Sequence, residues 1–369
     1  MKSTVYFAPA RGTPDKNKFH RISDLLDRLE MPRRFDVNDL IAIKCHWGEG
    51  GNADFLPSFF LRHIARAVKR AKAKPFVSDS NTLYRGSRFH AVDNLLTAAA
   101  NGFTLATLGC PVVVADGLRG TDFVEVEVGG EHVDKARIAS AFAQADGMVV
   151  VSHVKGHMVF GFGGALKNLG MGCSAGAAKQ FLHADIRPRV KGDKCVACGD
   201  CIRHCRFGAI KMVESKKKSV ALINHDDCTG CGECIVVCPE HAIPIDWGSD
   251  YAMTQKKTAE YALAAVKGKQ SKCVYINFLI SITPDCDCCS WSDAPIVPDI
   301  GYAVSDDPIA LDKASVDLIN NFTGFPDRYQ VESGKDRFLE LHNVEYMPAL
   351  EHAAKIGLGN LDYQLVTLD

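Results

Sequence analysis

The sequence lacks a surplus of charge of either sign, and it lacks a long apolar run. Its 369 residues include 43 Lys and Arg against 44 Asp and Glu, which gives a net charge of −1. Chains that bind nucleic acid usually carry a basic surplus, so we expect no nucleic-acid partner. The most apolar stretch, 273–282, has the length of a strand and is too short to span a bilayer. We therefore predict no membrane span.

The amino terminus also lacks the features of a secretory signal. Residues 1–10 contain one Lys and no apolar core segment of the kind that a signal peptide needs. The composition, 47% hydrophobic and 24% charged, is that of an ordinary globular protein, and we expect a cytoplasmic one. A chain of this length usually exceeds a single hydrophobic core, so two or three folding units are expected.

Cysteine, in contrast, is abundant, with 15 in the chain. In a reducing compartment, closely spaced cysteines indicate metal ligation rather than disulfides. Between 195 and 238 the cysteines form two copies of one four-cysteine run. The copies are Cys195-x2-Cys198-x2-Cys201-x3-Cys205 and Cys228-x2-Cys231-x2-Cys234-x3-Cys238-Pro239.

This repeat is typical of a bacterial-type ferredoxin with two [4Fe–4S] clusters. Three closely spaced thiolates wrap around one cubane, and the fourth cysteine begins a helix that reaches the other cluster. Two zinc sites are the alternative, but zinc ribbons use Cys-x2-Cys knuckles rather than two complete four-cysteine runs. We predict one cluster on Cys195, Cys198, Cys201 and Cys238, and the other on Cys205, Cys228, Cys231 and Cys234.

The rest of the chain predicts an α/β fold, with a mostly parallel sheet and helices on both faces, because apolar runs alternate with amphipathic segments. One α/β domain, formed by 1–190 and 247–369, is predicted to carry a small α+β ferredoxin-like module inserted at 191–246. Strands are predicted at 4–8, 40–45, 75–79, 111–115, 123–128, 148–154 and 273–282, with a hairpin at 209–213 and 220–223 and a further strand at 242–245. Helices are predicted at 19–30, 56–73, 89–101, 134–144, 251–266 and from 308 to about 321.

Several motifs outside the cysteine runs resemble a known family. The main ones are Val151-Ser-His153-Val-Lys155-Gly-His157 and Gly163-Gly164-Ala-Leu-Lys167-Asn168-Leu-Gly170, with shorter pieces at 43–48, 77–79, 298–301 and 306–312. They resemble the family called domain of unknown function 362, whose members often carry a ferredoxin insertion. The resemblance covers nearly the whole chain and implies an α/β core, but it implies no settled activity.

The glycine-rich stretch 161–172 follows a predicted strand and is expected to open a helix near Ala165. It lacks the Gly-x4-Gly-Lys-Ser/Thr spacing of a P-loop. Exposed backbone N–H groups would hold an anion there, and the alternative is a tight loop packed against the sheet. With the resemblance, we predict that Lys155, His157, Lys167 and Asn168 bind an anionic or carbonyl-bearing substrate, with His157 as the proton-transfer residue.

A second candidate site is Asp285-Cys286-Asp-Cys288-Cys289, which follows the strand at 273–282. Open α/β sheets bind their ligands at the carboxyl ends of strands. Three cysteines in four residues indicate soft-metal ligands or a redox pair, and the alternative is buried, inert thiols. We predict an additional metal ion held by Cys286, Cys288, Cys289 and His153.

Four aspartates near strand and helix ends have simpler interpretations. Asp79 and Asp306 end predicted strands and are expected to bind a cation or cap a helix. Asp307, before Pro308, is the expected cap of the helix that follows, and Asp312 is expected on that helix's surface.

The sequence leaves three functions open. The first is an iron–sulfur oxidoreductase that exchanges electrons between the clusters and a small-molecule substrate or a redox partner protein. The second is a non-enzymatic electron carrier or accessory protein, and the third is a metal- or cluster-handling protein. A concave pocket lined by His157, Lys167 and Cys288 within electron-tunnelling reach of a cluster would favour the first function. A filled core at these positions would favour the second, and labile extra iron would favour the third.

Overall fold

The computed structural model describes residues 2–183, 188–205, 207–214, 218–228, 230, 232–244, 250–324 and 335–368. The strands of these ranges are β1 (Ser3–Pro9), β2 (Leu40–Lys44), β3 (Lys74–Asp79), β4 (Val112–Val114), β5 (Phe123–Glu127), β6 (Lys135–Ala139), β7 (Gly147–His153), β8 (Lys155–His157), β9 (Gly161–Gly163), β10 (Ile210–Glu214), β11 (Ser219–Ile223), β12 (Cys273–Leu279), β13 (Gly301–Ser305) and β14 (Tyr363–Thr367).

The helices lie between these strands in alternation, as the sequence predicts. They are α1 (Lys18–Arg28), α2 (Ser58–Arg70), α3 (Ala91–Ala100), α4 (Leu105–Leu108), α5 (Ser140–Gln144), α6 (Ala165–Cys173), α7 (Lys179–His183), α8 (Asp200–Arg203), α9 (Glu233–Val236), α10 (Tyr251–Val266), α11 (Pro308–Asn320), α12 (Arg337–His342) and α13 (Met347–Lys355).

One large sheet organises the described residues, in the order β14–β1–β13–β12–β7–β2–β3–β4. The run from β12 to β4 is parallel throughout, and β1 is parallel to β14. Strand β13 is antiparallel to both of its neighbours, β1 and β12. Strands from before and after the cysteine-rich segment therefore build a single sheet, in which β12 pairs directly with β7.

Helices cover both faces of this sheet, because successive side chains of its central strands point to opposite sides. In β7, Met148 and Val150 belong to the core that includes residues of α6, α10 and α11. Val149 and Val151 belong to the other core, which includes residues of α1 and α2. The predicted α/β fold, with a mostly parallel sheet and helices on both faces, is confirmed.

The helix predicted at 134–144 is wrong for its first half. Residues 135–139 form β6, which pairs antiparallel with β5, and only 140–144 are helical. Ala136 and Ile138 are completely buried, whereas Lys135 and Arg137, which alternate with them, are exposed and half-buried. Pairing with β5 and burial of alternate side chains outweigh the helix propensity of this Ala- and Lys-containing segment.

The cysteine-rich segment has its own small core. The predicted hairpin is confirmed as β10 and β11, which pair antiparallel. Cys195, Cys201, Cys234 and Cys238 pack with apolar side chains of this hairpin. Residues 242–244 are not a strand, contrary to prediction, and Ile245 lies outside the described residues, as do Cys231 and Arg206. No helix in the described ranges is long and apolar enough to cross a membrane.

Candidate functional site

A cavity of about 470 Å³ lies where the carboxyl ends of β2, β3 and β7 meet the loop that follows β12. This is the edge at which open parallel sheets bind their ligands. The candidate residues outside the four-cysteine runs all line it, namely His153, Lys155, His157, Lys167, Asn168, Cys286, Cys288 and Cys289. A pocket with His157, Lys167 and Cys288 in its wall is therefore present, and these positions are not a filled core.

A compact group of Cys286, Cys288, His157 and Lys167 forms one part of the wall. The two sulfur atoms and a ring nitrogen of His157 all lie within 4.8 Å of one another, which is close enough for one metal ion. The Cys286 sulfur accepts hydrogen bonds from Lys167 Nζ at 3.5 Å and from the backbone N–H of Cys288 at 3.4 Å. It also forms side-chain hydrogen bonds with Cys288 and His157.

These contacts separate the acidities of the two thiols. The hydrogen bond from Cys288, together with Lys167 and His157 and against the effect of burial, lowers the pKa of Cys286 well below its ordinary value. Hydrogen bonds with Cys286 and Cys289, with burial added, raise the pKa of Cys288 well above it. Cys286 is therefore the more acidic thiol of the pair.

The tautomer of His157 follows from its backbone contacts. Nδ1 accepts the N–H groups of Val159 at 3.0 Å and Phe160 at 3.2 Å, so the ring proton is on Nε2. Burial, and then the charge of Lys167, lower the pKa of His157 to about 4. At neutral pH the ring is therefore uncharged and serves as a hydrogen-bond donor toward Cys286. A metal bound at Nε2 would displace that proton and leave Nδ1 facing two donors.

His153 has a different environment from that of the other predicted metal ligands. Its Nδ1 lies 2.9 Å from Asp287 Oδ1, and its Nε2 lies 2.8 Å from the carbonyl oxygen of Ile280. Asp287 also pairs with Lys155 at 3.1 Å. Burial opposes ionisation of Asp287, but His153 and Lys155 lower its pKa below the ordinary value. Both ring nitrogens of His153 face oxygen atoms, and these contacts do not support it as a metal ligand.

In another part of the cavity wall, buried ions form a network that sequence reasoning missed. Asp79 lies 3.0 Å from Lys44 Nζ and 3.3 Å from Arg88 Nη1, and Arg88 also pairs with Glu49 at 3.1 Å. Lys44 Nζ donates to Asn168 Oδ1 at 2.6 Å. Asn168, which was predicted to bind substrate, therefore orients the ammonium group of Lys44. Lys44 lies at the end of a predicted strand, and this position could have identified it as a site residue. No local sequence pattern distinguishes Arg88.

The glycine-rich stretch forms β9 and then α6, which begins at Ala165 as predicted. The predicted anion site at this helix end is wrong. Asp312, which is fully buried rather than on a helix surface, accepts the N–H groups of Ala165 at 2.7 Å and Leu166 at 2.8 Å. A carboxylate of the protein therefore already occupies the place that a ligand anion would take. Asp307 caps α11 as predicted.

Replacing Asp312 by alanine is expected to lower the free energy of unfolding by about 2–3 kcal/mol. The change removes a buried helix cap and the partner of the Asn277 amide, which donates to Asp312 at 2.8 Å. Urea unfolding would measure the loss. Asp250→Ala is the matched control, because Asp250 caps α10 from an exposed position, and its removal should cost about 1 kcal/mol or less. Equal losses in the two variants would contradict the structural role given to Asp312.

Lys167→Met is expected to move the alkylation of Cys286 to higher pH. The ammonium group stabilises the thiolate, and the thiolate is the form that iodoacetamide attacks. Peptide mass spectrometry across a pH series would give the rate at Cys286. Lys179→Met is the control, since Lys179 lines the same cavity but donates to Ser80 Oγ and to the carbonyls of Asn81 and Ser174. Identical pH profiles in both variants would contradict the prediction.

The cysteines of the two runs line two further, smaller cavities. Cys195, Cys198, Cys201 and Cys238 line one of them, and Cys205, Cys228 and Cys234 line the other. Backbone N–H groups point at the sulfurs, from Ala221 to Cys195 at 3.5 Å and from Ala242 to Cys238 at 3.3 Å. Thiols converging on a cavity, with N–H donors aimed at them, fit the donor set of an anionic iron–sulfur cluster.

A three-residue segment, Leu83–Arg85, joins these cysteines to the large cavity. Leu83 lines the large cavity and also packs in the small core that contains Cys195 and Cys238. Tyr84 donates its hydroxyl to the carbonyl oxygen of Cys288 at 3.1 Å. Arg85 donates to the carbonyl oxygen of Cys238 at 2.6 Å. The cysteine-rich segment therefore contacts the wall of the large cavity through consecutive residues.

Comparisons with solved structures find distant similarities. The lactate racemase apoprotein from Thermoanaerobacterium thermosaccharolyticum is 12% identical with a TM-score of 0.43, and the alignment covers 86% of this chain and 58% of that one. A structural-genomics protein from Thermotoga maritima is 10% identical with a TM-score of 0.35, covering 94% and 60%. This chain thus spans less than two thirds of either protein, and at these scores neither similarity bears on activity.

Sequence comparison gives the family. The search of curated proteins gives no match. The model of the family described as "Domain of unknown function (DUF362)" matches residues 41–317, which is most of the chain. The motifs at 43–48, 151–157 and 163–170 lie within this match, and the same segments supply Lys44, His157 and Lys167 to the wall of the large cavity. The chain belongs to the DUF362 family.

Proposed function

We propose that this protein is an iron–sulfur oxidoreductase in which an inserted module, 191–246, exchanges electrons with the large cavity of the α/β domain. The single observation that carries the proposal is the segment Leu83–Arg85, which contacts both Cys238 and Cys288. Electron transfer requires short, packed connections, and consecutive residues with hydrogen bonds at both ends supply one. A carrier without a site of its own would have no need for a cavity at this place.

The module would hold two [4Fe–4S] clusters, which supply one-electron transfer when bound. Cys195, Cys198, Cys201 and Cys238 would hold one of them, and Cys205, Cys228, Cys231 and Cys234 the other. The convergence of four of these thiols on one cavity and of three on another supports this division. The N–H groups that point at Cys195 and Cys238 would stabilise the negative charge of thiolates and cluster.

The cavity would take a small anionic molecule. Lys44, Arg88, Lys155, Lys167 and Lys179 line it, whereas Asp79 is the one carboxylate in its wall within the described ranges. Glu49 and Asp287 pair with Arg88 and Lys155 from behind the wall and reduce, but do not cancel, the positive charge. Lys167 would bind the anion beside Cys286, and His157 would donate a hydrogen bond through Nε2.

The test places a charge in the cavity and measures the midpoint potentials of the two clusters. In a Cys288→Ser/Cys289→Ser background, Cys286 is alkylated with iodoacetate or with iodoacetamide, two adducts of similar size that differ by one negative charge. The added charge should lower the midpoint potential of the cluster on Cys195, Cys198, Cys201 and Cys238 relative to the neutral adduct. Because charge acts over a limited range, the other cluster should change less. Equal potentials with both adducts would overturn the proposed coupling.

A soft-metal site on Cys286, Cys288 and His157 is the second candidate, with Cys289 beside it. The closeness of the three ligand atoms favours this site. The two backbone N–H groups that donate to His157 Nδ1 disfavour it, because they hold the ring proton on Nε2, where the metal would bind. Metal analysis of the purified protein and of Cys286→Ser would decide between them. A metal ion present in stoichiometric amount and lost in the variant would establish the metal site, and equal metal content would exclude it.

A further inference from the structure

We infer that Cys286 and Cys288 form a redox pair that cycles between dithiol and disulfide, and that the substrate of the cavity is a small anionic disulfide. This inference rests on the proposed function, because the pair is regenerated by electrons that arrive through the cysteine-rich module. It adds a two-electron group, the cysteine pair, that receives the electrons delivered one at a time by the clusters. It also adds the class of molecule that this pair reduces.

The geometry of the pair supports this role. The two sulfurs lie within 4.8 Å of each other in one short loop, so the pair is close enough for a disulfide to form with a small local change. The intervening Asp287 is held by His153 and Lys155, and these contacts fix the loop between the two cysteines. Cys286 is almost fully buried, whereas Cys288 is half-buried in the same wall.

The donors around Cys286 make it the attacking sulfur. Its sulfur accepts hydrogen bonds from Lys167 Nζ at 3.5 Å and from the N–H of Cys288 at 3.4 Å. An ammonium group and an N–H donor aimed at one sulfur stabilise negative charge on it. Thiolates, and not thiols, attack disulfides. Cys288, two residues further along the chain and in the same cavity wall, is the resolving thiol of the pair.

The electron and proton balance is complete with two named reactants. Cys286 thiolate attacks the substrate disulfide, and the first substrate thiolate leaves. Cys288 then attacks the Cys286 sulfur, and the second substrate thiolate leaves as Cys288 gives up its proton. The Cys286–Cys288 disulfide takes up two electrons and one proton and returns to thiolate and thiol. A low-potential one-electron donor outside the chain supplies both electrons.

The connection to the module ends on this pair. Tyr84 binds the carbonyl oxygen of Cys288, and Arg85 binds the carbonyl oxygen of Cys238. The electrons therefore reach the cavity at the residue that must be reduced. The described part of the cavity wall holds five cationic side chains against the single carboxylate of Asp79, and this surplus matches a disulfide that carries carboxylates.

Thiol trapping with peptide mass spectrometry tests the pair without an activity assay. The anaerobic protein is oxidised with diamide, free thiols are alkylated, and the disulfide content of peptide 286–289 is measured. The Cys286–Cys288 disulfide should form in wild type and in Cys289→Ser. A Cys288–Cys289 disulfide in its place, or no disulfide at all, would overturn the inference.

Photoreduction then tests the supply of electrons. Illumination with a deazaflavin, a one-electron donor, should return the disulfide to thiols in the wild type, and at least about tenfold more slowly in Cys238→Ala. Equal rates would overturn the inference. Turnover is probed with 5,5′-dithiobis(2-nitrobenzoate), an anionic disulfide, and should fall at least about tenfold in Cys286→Ser.

The two proposals fail in different ways. If cluster potentials respond to charge on Cys286 but the disulfide never forms, the redox pair is overturned and the proposed function stands. If the disulfide forms but the potentials do not respond and photoreduction leaves it intact, both are overturned. A metal ion bound by Cys286 and Cys288 would overturn the redox pair alone.

Discussion

Replacing Cys238 by alanine is expected to remove the same half of the iron as replacing Cys195, although Cys238 follows Cys234 by only four residues. The wild type, purified anaerobically, should contain about eight iron atoms and about eight sulfides per chain. Either single variant should retain about four of each. Alanine is used because it offers no replacement ligand, and the thiols of Cys195 and Cys238 line the same cavity.

Double variants turn this expectation into a test of connectivity. Cys195→Ala/Cys238→Ala should still retain about four iron atoms, because both changes affect one cluster. Cys234→Ala/Cys238→Ala should retain almost none, because each change affects a different cluster. EPR spectra of the reduced variants would show whether the remaining cluster is the same in Cys195→Ala and Cys238→Ala.

Cys110→Ala is the control for these measurements. Cys110 is buried in the core between the sheet and α2, far in sequence from both runs, and its loss should leave about eight iron atoms. The opposite pattern, with Cys234→Ala/Cys238→Ala retaining about four and Cys195→Ala/Cys238→Ala almost none, would contradict the ligand assignment. Eight cysteines without iron or sulfide would contradict the clusters altogether.

Asp79→Asn is expected to lower the free energy of unfolding by about 3–5 kcal/mol, the cost of removing one partner from a buried ion network. Asp79 is shared by Lys44 and Arg88, and all three side chains are almost completely buried. Asparagine preserves the shape of the side chain but removes the carboxylate that Lys44 and Arg88 share. Arg88 keeps its ion pair with Glu49. Urea unfolding, followed by circular dichroism, would measure the change.

Asp306→Asn is the matched control, since both aspartates end strands and both pair with arginine. Asp306 pairs with Arg34 at 2.9 Å, but it is about half exposed, and exposed pairs contribute about 1 kcal/mol or less. A loss in Asp79→Asn no larger than in the control would show that the network does not stabilise the fold.

The difference in the free energy of unfolding between the wild type and Asp79→Asn should depend on pH in a definite direction. Burial opposes ionisation of Asp79, but Lys44, His46 and Arg88 lower its pKa below the ordinary value. A depressed pKa stabilises the folded protein above the pKa of the unfolded state, which for aspartate is about 3.9. The advantage of the wild type over Asp79→Asn should therefore persist at neutral pH and disappear only as the pH falls well below that value.

Much of the fold was predictable because local patterns carried it. The apolar runs at 40–45 and 148–154 became β2 and β7, and Asp307 with Pro308 marked the start of α11. The segment 134–144 was not predictable in this way. Its composition suits a helix, and only the presence of β5 beside it makes residues 135–139 a strand.

The candidate site was predictable in part. Its cysteines, histidines and lysines followed strands, and the rule that ligands bind at strand carboxyl ends brought them together. Arg88 and Tyr84 were missed because they lie in a loop without a distinctive pattern. Asp312 was misassigned because it looks like the surface of α11, whereas its partners, Ala165 and Leu166, are distant in the chain.

The sequence by itself determined the α/β architecture, the family and the two four-cysteine runs, because periodicity and ligand spacing are properties of neighbouring residues. The tertiary structure decided which groups act on one another. It made Cys286 the more acidic of two neighbouring thiols, His157 a neutral donor and Asp312 a helix cap, because burial and contacts between distant segments determine the acidity and the hydrogen bonds of each. It also brought Leu83–Arg85 between Cys238 and Cys288, which are 50 residues apart in the chain and share no local motif.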